Sequence, residues 1–212
     1  MHDLARGFLR DFKQLPSTQN LVTAGVGIAA SLVARTADSE LNEWIADKDS
    51  ASYASVGGTF GDGLVQAGVA IGVFAVGVAT EHEKTLRVGN HLVRGQVLNA
   101  VLTGTVKLAT QRTRPSGGDH SMPSGHTSAA VTTAIVLHQH FGWKVGIPAY
   151  AAAGFVGWSR LRGEHHWLSD VTMGATIGAV AGLTVTTDER RRWTLVPAVA
   201  PDRAALYVLW TP

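Results

Sequence analysis

Six stretches of this chain carry no Asp, Glu, Lys or Arg and are apolar enough to be helices: residues 14–34, 63–80, 95–106, 120–143, 145–159 and 171–187. A straight bilayer crossing takes about 20 residues, with roughly 17–25 tolerated. Several stretches fall at the short end, so neighbouring polar or aromatic residues must complete them. Ahead of them, Leu4, Phe8, Phe12 and Leu15 recur at helical spacing opposite Arg6, Arg10 and Lys13. Residues 1–18 are therefore an amphipathic N-terminal helix, lying either in a membrane interface or on a globular body. The polar segment 35–62 reads as one short helix, with Leu41, Trp44 and Ile45 on a face, and a loop on the outer side. Beyond residue 190 the pattern changes. Residues 194–199 and 204–210, around Pro201 and Asp202, alternate like the strands of a β-hairpin in a tail of 191–212.

Small residues recur every four positions, at Gly68 and Gly72 and again at Gly174, Gly178 and Gly182. In lipid such a face lets helix backbones approach closely. In water each helical Gly costs about 0.5–1 kcal/mol relative to Ala. The pattern favours membrane helices over a Gly/Ala-rich soluble bundle. Charge placement agrees: with a cytoplasmic N-terminus, Arg6, Arg10, Lys13, Lys84, Arg87, Arg94, Lys144 and Arg190–Arg192 fall inside. Trp143, Trp158, Trp167 and Trp193 fall at expected helix ends, where an aromatic belt or a core would use them.

Charged residues make up 16% of the chain, below the roughly 25% of soluble domains. The mean hydropathy of +0.11 keeps a soluble periplasmic reading open. A net charge of +2 with scattered arginines excludes nucleic acid as the expected partner. With no Cys there is neither a disulfide framework nor thiolate chemistry. The first residues lack the apolar core of a secretory signal. The sequence carries no signal for oligomeric state.

Three clusters carry the chemistry: Lys107 with Arg114-Pro115; Pro123-Ser124-Gly125-His126; and Ser159-Arg160 with His166 and Asp170. His166 and Asp170 are four apart, so at a helix start they share a face; the pair is a structural hydrogen bond or a catalytic dyad. Ser124 and Gly125 precede an uncharged helix whose N-terminus suits an anion, although Ser124 also fits a plain N-cap. His126 could donate a proton there. Lys107, at the edge of an apolar segment, either snorkels or faces a polar cavity. Arg114 offers a planar fork to two phosphate oxygens.

Taken in order, Lys107, Arg114, Pro115, Pro123, Ser124, Gly125, His126, Ser159, Arg160, His166 and Asp170 resemble the active-site pattern of the type 2 phosphatidic acid phosphatases, a plan shared with the vanadium haloperoxidases. The resemblance implies an all-α, six-helix bundle embedded in the membrane, residues 1–190, with the three clusters at one end. It implies a phosphatase acting on phosphate monoesters or diphosphates through a phosphohistidine. His166 would attack phosphorus, Asp170 orient it and His126 serve as acid and base. Lys107, Arg114, Ser124, Gly125 and Arg160 would hold the phosphate. No metal cofactor is implied, although phosphate or vanadate could occupy the site, and His120, His138 and His140 lack the partners of a metal centre. His165 reads as a flanking residue. Expected partners are a membrane and a phospholipid or isoprenoid phosphate, met on the outer (periplasmic) side of a bacterial inner membrane. A soluble acid phosphatase is the main alternative; a vanadate-dependent haloperoxidase or a non-catalytic membrane protein ranks below it.

Overall fold

The computed structural model describes residues 2–45, 51–187, 192–200 and 203–211. Each of the six charge-free stretches lies largely within one long helix: α2 (Thr18–Arg35), α5 (Gly63–Ala79), α6 (Glu83–Thr110), α7 (Gly125–Phe141), α8 (Trp143–Arg162) and α9 (Leu168–Val185). Three shorter helices join them: α1 (His2–Gln14), α3 (Asp38–Ile45) and α4 (Ala51–Gly61). The described residues thus hold nine helices rather than six. α4 was expected as loop because its Gly- and Ser-rich sequence has little intrinsic helix preference; packing against α8 and α7 supplies what propensity lacks.

α6, α7 and α9 touch pairwise and form the centre; α5 flanks α6, α8 flanks α7 and α2 flanks α9. The core side chains are small or of middle size, Val88, Leu92, Leu98, Val136, Ala181 and Val185 among them, all buried. α6 runs well beyond the charge-free 95–106 because its charges are accommodated. Arg94, counted above among the inside charges, is buried, and its Nε donates to Asp11 Oδ2 at 2.7 Å. That ion pair holds α1 against the bundle, as a buried guanidinium needs a paired carboxylate.

The small-residue faces divide into two kinds. A Cβ on Gly174 or Gly178 would lie 2.5 Å from the Ser124 carbonyl oxygen or 2.4 Å from that of Ser128, so these glycines allow α9 to press on α7. Gly68 and Gly72 meet nothing within 4 Å. The close contact of α5 with α6 instead uses Gly77 against Leu86 and Gly89 against Phe74.

The outer faces are apolar: Leu21, Val26, Leu32 and Val33 on α2, and Val69, Val76 and Val78 on α5, are more than half exposed. By length and composition α9 could cross a membrane, and the number rises to three if α2 with α3 (bent 68°) and the end of α4 with α5 (bent 46°) each count as one span. The tail forms β1 (Arg192–Ala200) and β2 (Arg203–Thr211), antiparallel, with Arg192 opposite Thr211 and Ala200 opposite Arg203. Trp193 therefore sits in a strand, not at a helix end. The expected boundary at residue 190 and the turn at Pro201-Asp202 lie outside the described residues.

Gly178→Val should destabilise the protein by about 1–3 kcal/mol through overpacking. Gly68→Ala, with open space around it, should stabilise by up to about 1 kcal/mol. Thermal unfolding of the two variants checks both signs.

Candidate active site

The three clusters come together at the end of the bundle where α6 stops and α7 and α9 start. Lys107 is in the last turn of α6, which ends at Gln111 with a left-handed φ of 43°. The following loop is stapled at several points: Arg114 N–H donates to Gly118 O at 2.6 Å, Ser121 N–H to Arg112 O at 2.7 Å, and Trp167 Nε1–H to Thr113 O at 2.9 Å. The loop closes with a cis Met122–Pro123 bond and leads into α7. Arg160 lies in the last turn of α8, and its carbonyl accepts from the amides of His165 (3.1 Å) and His166 (3.3 Å), folding the short loop back so that both imidazoles return toward the arginine.

A cavity of about 680 Å³ opens here. Its polar end is lined by Lys107, Arg114, Gly125, His126, Arg160, His165 and His166. Its walls run down between α5 and α6, past Leu64, Ala67 and Ile71 on one side and Val93, Val97 and Ala100 on the other. Gly125 is where this space approaches the α7 N-terminus: a Cβ there would be 4.0 Å from Lys107 Cε and 3.8 Å from Thr103 Cγ2. The Lys107 ammonium donates to His120 O at 2.6 Å. α4 covers the arginine closely, since a Cβ on Gly58 would stand 3.1 Å from an Arg160 terminal nitrogen.

Two expected contributors stand behind the cavity wall. Ser124, read above as a phosphate ligand, is fully buried; its Oγ caps α7, accepting from Thr127 N–H (3.4 Å) and Thr127 Oγ1–H (3.0 Å). It sets the position of Gly125 instead of reaching the cavity surface. Asp170, also fully buried, was expected to hydrogen-bond His166, but His166 Nδ1 is 3.9 Å from Asp170 Oδ2 and has no hydrogen-bond partner. The carboxylate is already committed: Oδ1 accepts from Arg112 Nη1–H at 2.8 Å, and Oδ2 from Ser121 Oγ–H and from Trp167 N–H at 2.9 Å.

Arg112 and Asp38 are the residues that sequence reasoning missed. The second Arg112 nitrogen bonds Asp38 Oδ2 at 2.8 Å, and Asp38 also accepts from Ser169 N–H (2.9 Å) and Oγ–H (2.6 Å). One guanidinium thus ties α3, the loop and α9 together. Arg112 stands two residues before Arg114, yet no spacing rule says which arginine faces the cavity. Asp62, the N-cap of α5, lines the cavity as well. His165, set aside as a flanking residue, is part of the wall.

The field of this site is strongly positive. Burial first, then Lys107 and Arg114, pushes the His166 imidazole down to about 2. Burial, then Arg160 and Arg114, lowers His165. His126, at the α7 tip, is driven down to about 4 by burial and then Arg160, with Asp62 opposing. A dianion entering among these cations would reverse the balance and favour the protonated imidazoles. Among the described residues no three His, Asp or Glu side chains converge on a metal position.

Residues 100–194, which span all three clusters, match the PAP2 superfamily. The chain is 36% identical over 101 residues to the lipid A 1-phosphatase of Porphyromonas gingivalis, covering 44% of this chain and 23% of that protein. It is 33% identical over 82 residues to the lipid A 4′-phosphatase of Helicobacter pylori, covering 38% and 41%. The chain therefore spans less than half the length of either of these curated relatives. The fold is similar to that of Aquifex aeolicus LpxE (TM-score 0.58, 23% identity, 71% of this chain and 94% of that one). It is also similar to a transmembrane PAP2-type phosphatidylglycerolphosphate phosphatase from Bacillus subtilis (TM-score 0.52, 19% identity, 88% and 94%).

Arg112→Ala leaves Asp38 and Asp170 buried without their cation and should cost on the order of 3–5 kcal/mol, read by thermal unfolding. His166 titrates near 2 when folded and near 6.5 when unfolded, so below pH 6.5 the unfolded chain binds the extra proton. Stability of the ligand-free protein should fall as pH drops from 7 to 5, and fall less in His166→Gln.

Proposed function

We propose that this chain is a lipid phosphatase that hydrolyses phosphate monoesters or diphosphates through a phosphohistidine. The observation that carries this reading is the shared cavity: three cations and three imidazoles at its polar end, continuous with apolar walls between α5 and α6. The match of residues 100–194 to the PAP2 superfamily and the two lipid A phosphatases among its relatives support it.

In the proposed reaction Lys107, Arg114, Arg160 and the Gly125 amide hold the nonbridging oxygens and stabilise the charge that builds on them. His166 attacks phosphorus with the ring nitrogen remote from Asp170. An N–P bond forms while the P–O bond to the lipid breaks. His126, protonated under the influence of the bound dianion, gives its proton to the leaving alkoxide. It then takes a proton from water, whose oxygen attacks phosphorus; the N–P bond breaks and inorganic phosphate leaves. Asp170, paired with Arg112, stabilises the positive charge that His166 acquires. The 3.9 Å separation of the ligand-free site shortens as that charge appears, as such contacts commonly tighten in the transition state. Ser124 contributes by holding Gly125 in place.

The apolar outer faces of α2 and α5, together with the apolar cavity wall, favour a bilayer location over the soluble alternative. Under the charge asymmetry of the sequence, the site faces the outer side of a bacterial inner membrane. Water-soluble esters would gain nothing from the cavity wall.

His166→Ala should abolish phosphate release from phosphatidate in detergent micelles, and acid-labile ³²P should remain on wild-type protein after rapid denaturation but not on the variant. Near-normal turnover in the variant would reject the role. Orthovanadate should inhibit competitively and raise the melting temperature.

A further inference from the structure

We propose that Asn99 is a specificity residue that selects lipid phosphates carrying a carbonyl or hydroxyl oxygen close to the phosphate, and so discriminates against isoprenoid phosphates, whose tails are hydrocarbon throughout. The inference rests on the lipid-phosphatase reading and extends it to the part of the substrate beyond the reacting phosphate.

Below the cations, three polar side chains on α6 line the otherwise apolar cavity: Gln96, Asn99 and Thr103. Two of them are already engaged. The Gln96 amide nitrogen donates to Ala129 O at 3.0 Å and to Thr133 Oγ1 at 2.9 Å. The Thr103 hydroxyl lies between Asn99 Oδ1 (3.3 Å) and Ser128 Oγ (3.1 Å). Asn99 differs. It is only 5% exposed, its oxygen accepts from Thr103, and its amide nitrogen donates to no described residue. Asn99 lines the cavity, and an amide donor that a bound ligand shuts off from water costs free energy unless the ligand accepts from it. Its burial leaves the cavity as the place from which an acceptor can come.

Its depth defines what that acceptor can be. Thr103 borders the space beside Gly125, where the phosphate would sit. Asn99 is one helical turn further, about 6 Å along the axis of α6. An ester or amide carbonyl, or a hydroxyl, on the glycerol or sugar that carries the phosphate falls at this depth. Polyprenyl phosphates offer only methylenes and alkenes there, so binding them leaves the amide unpaired. A site that buries an unused donor discriminates against ligands without an acceptor.

The test compares dioleoyl phosphatidate with farnesyl phosphate in mixed micelles, using wild-type protein and Asn99→Leu, an apolar side chain of similar size. Asn99→Leu should lower kcat/KM for phosphatidate about tenfold, chiefly through KM, and leave farnesyl phosphate unchanged or better. Inhibition by inorganic phosphate, which reads the cation cradle alone, should not move. Should Asn99→Leu fail to fold, Asn99→Ala, which has no N–H and adds no charge, serves in its place with the same expected loss on phosphatidate. Equal effects on both lipids, or none on either, overturn the inference while leaving the phosphatase reading intact. Wild-type protein that releases phosphate from neither lipid overturns both.

Discussion

A single buried carboxylate organises this end of the molecule. Asp170 has no exposed surface, and an ion in that position is tolerated only when its oxygens are fully engaged. Arg112 takes one oxygen; Ser121 and the Trp167 amide take the other. The Asp170 carbonyl accepts from Ser124 N–H at 2.9 Å. One residue thereby fixes the loop that carries Arg114, the start of α7 that carries Gly125 and His126, and the start of α9 beside His166. The three clusters, up to 63 positions apart in the chain (107 to 170), become neighbours through this residue. The cost of burying it is offset by Arg112, whose charge is in turn shared with Asp38.

The same electrostatic economy shapes the cavity. Burial, and after it the cations Lys107, Arg114 and Arg160 along the polar end, disfavours the charged form of His166 and His165 until an anion arrives. Burial, then the charges of Lys107 and Arg114, disfavours a proton on His166, and those same charges suit an anion such as phosphate. The bundle then continues this charged end into an apolar space. Small residues make that possible: glycines on α9 let it press against α7, and Gly77 and Gly89 join α5 to α6. The interior retains buried polar residues such as Asn20, Ser31 and Asn99, while the outer faces are apolar, an arrangement suited to a lipid surround.

Much of this was legible from residue pattern. Long stretches without charge became the long helices because a helix satisfies its own backbone and needs only an apolar surface to pack. The spacings in the clusters identified Lys107, Arg114, Gly125, His126, Arg160 and His166, and all of them line one cavity. Where the pattern misled, tertiary contacts had overridden local preference. α4 is a Gly-rich helix because α8 lies against it. Arg94 looks like a surface charge until Asp11 from another helix pairs with it. Gly68 and Gly72 have the spacing of a packing face but no neighbour.

The order and chemistry of the side chains, by themselves, determined the helical class, the hairpin tail and which cations and imidazoles were candidates for a shared site. These follow from periodicity and functional-group identity, which are local properties. Only the folded arrangement decided that Ser124 caps a helix, that Asp170 binds Arg112 more closely than His166, that Asp38 belongs to the site and that Asn99 keeps an unused donor. Each of those depends on which partner is nearest in space, and a buried polar group takes its role from the neighbours that satisfy it.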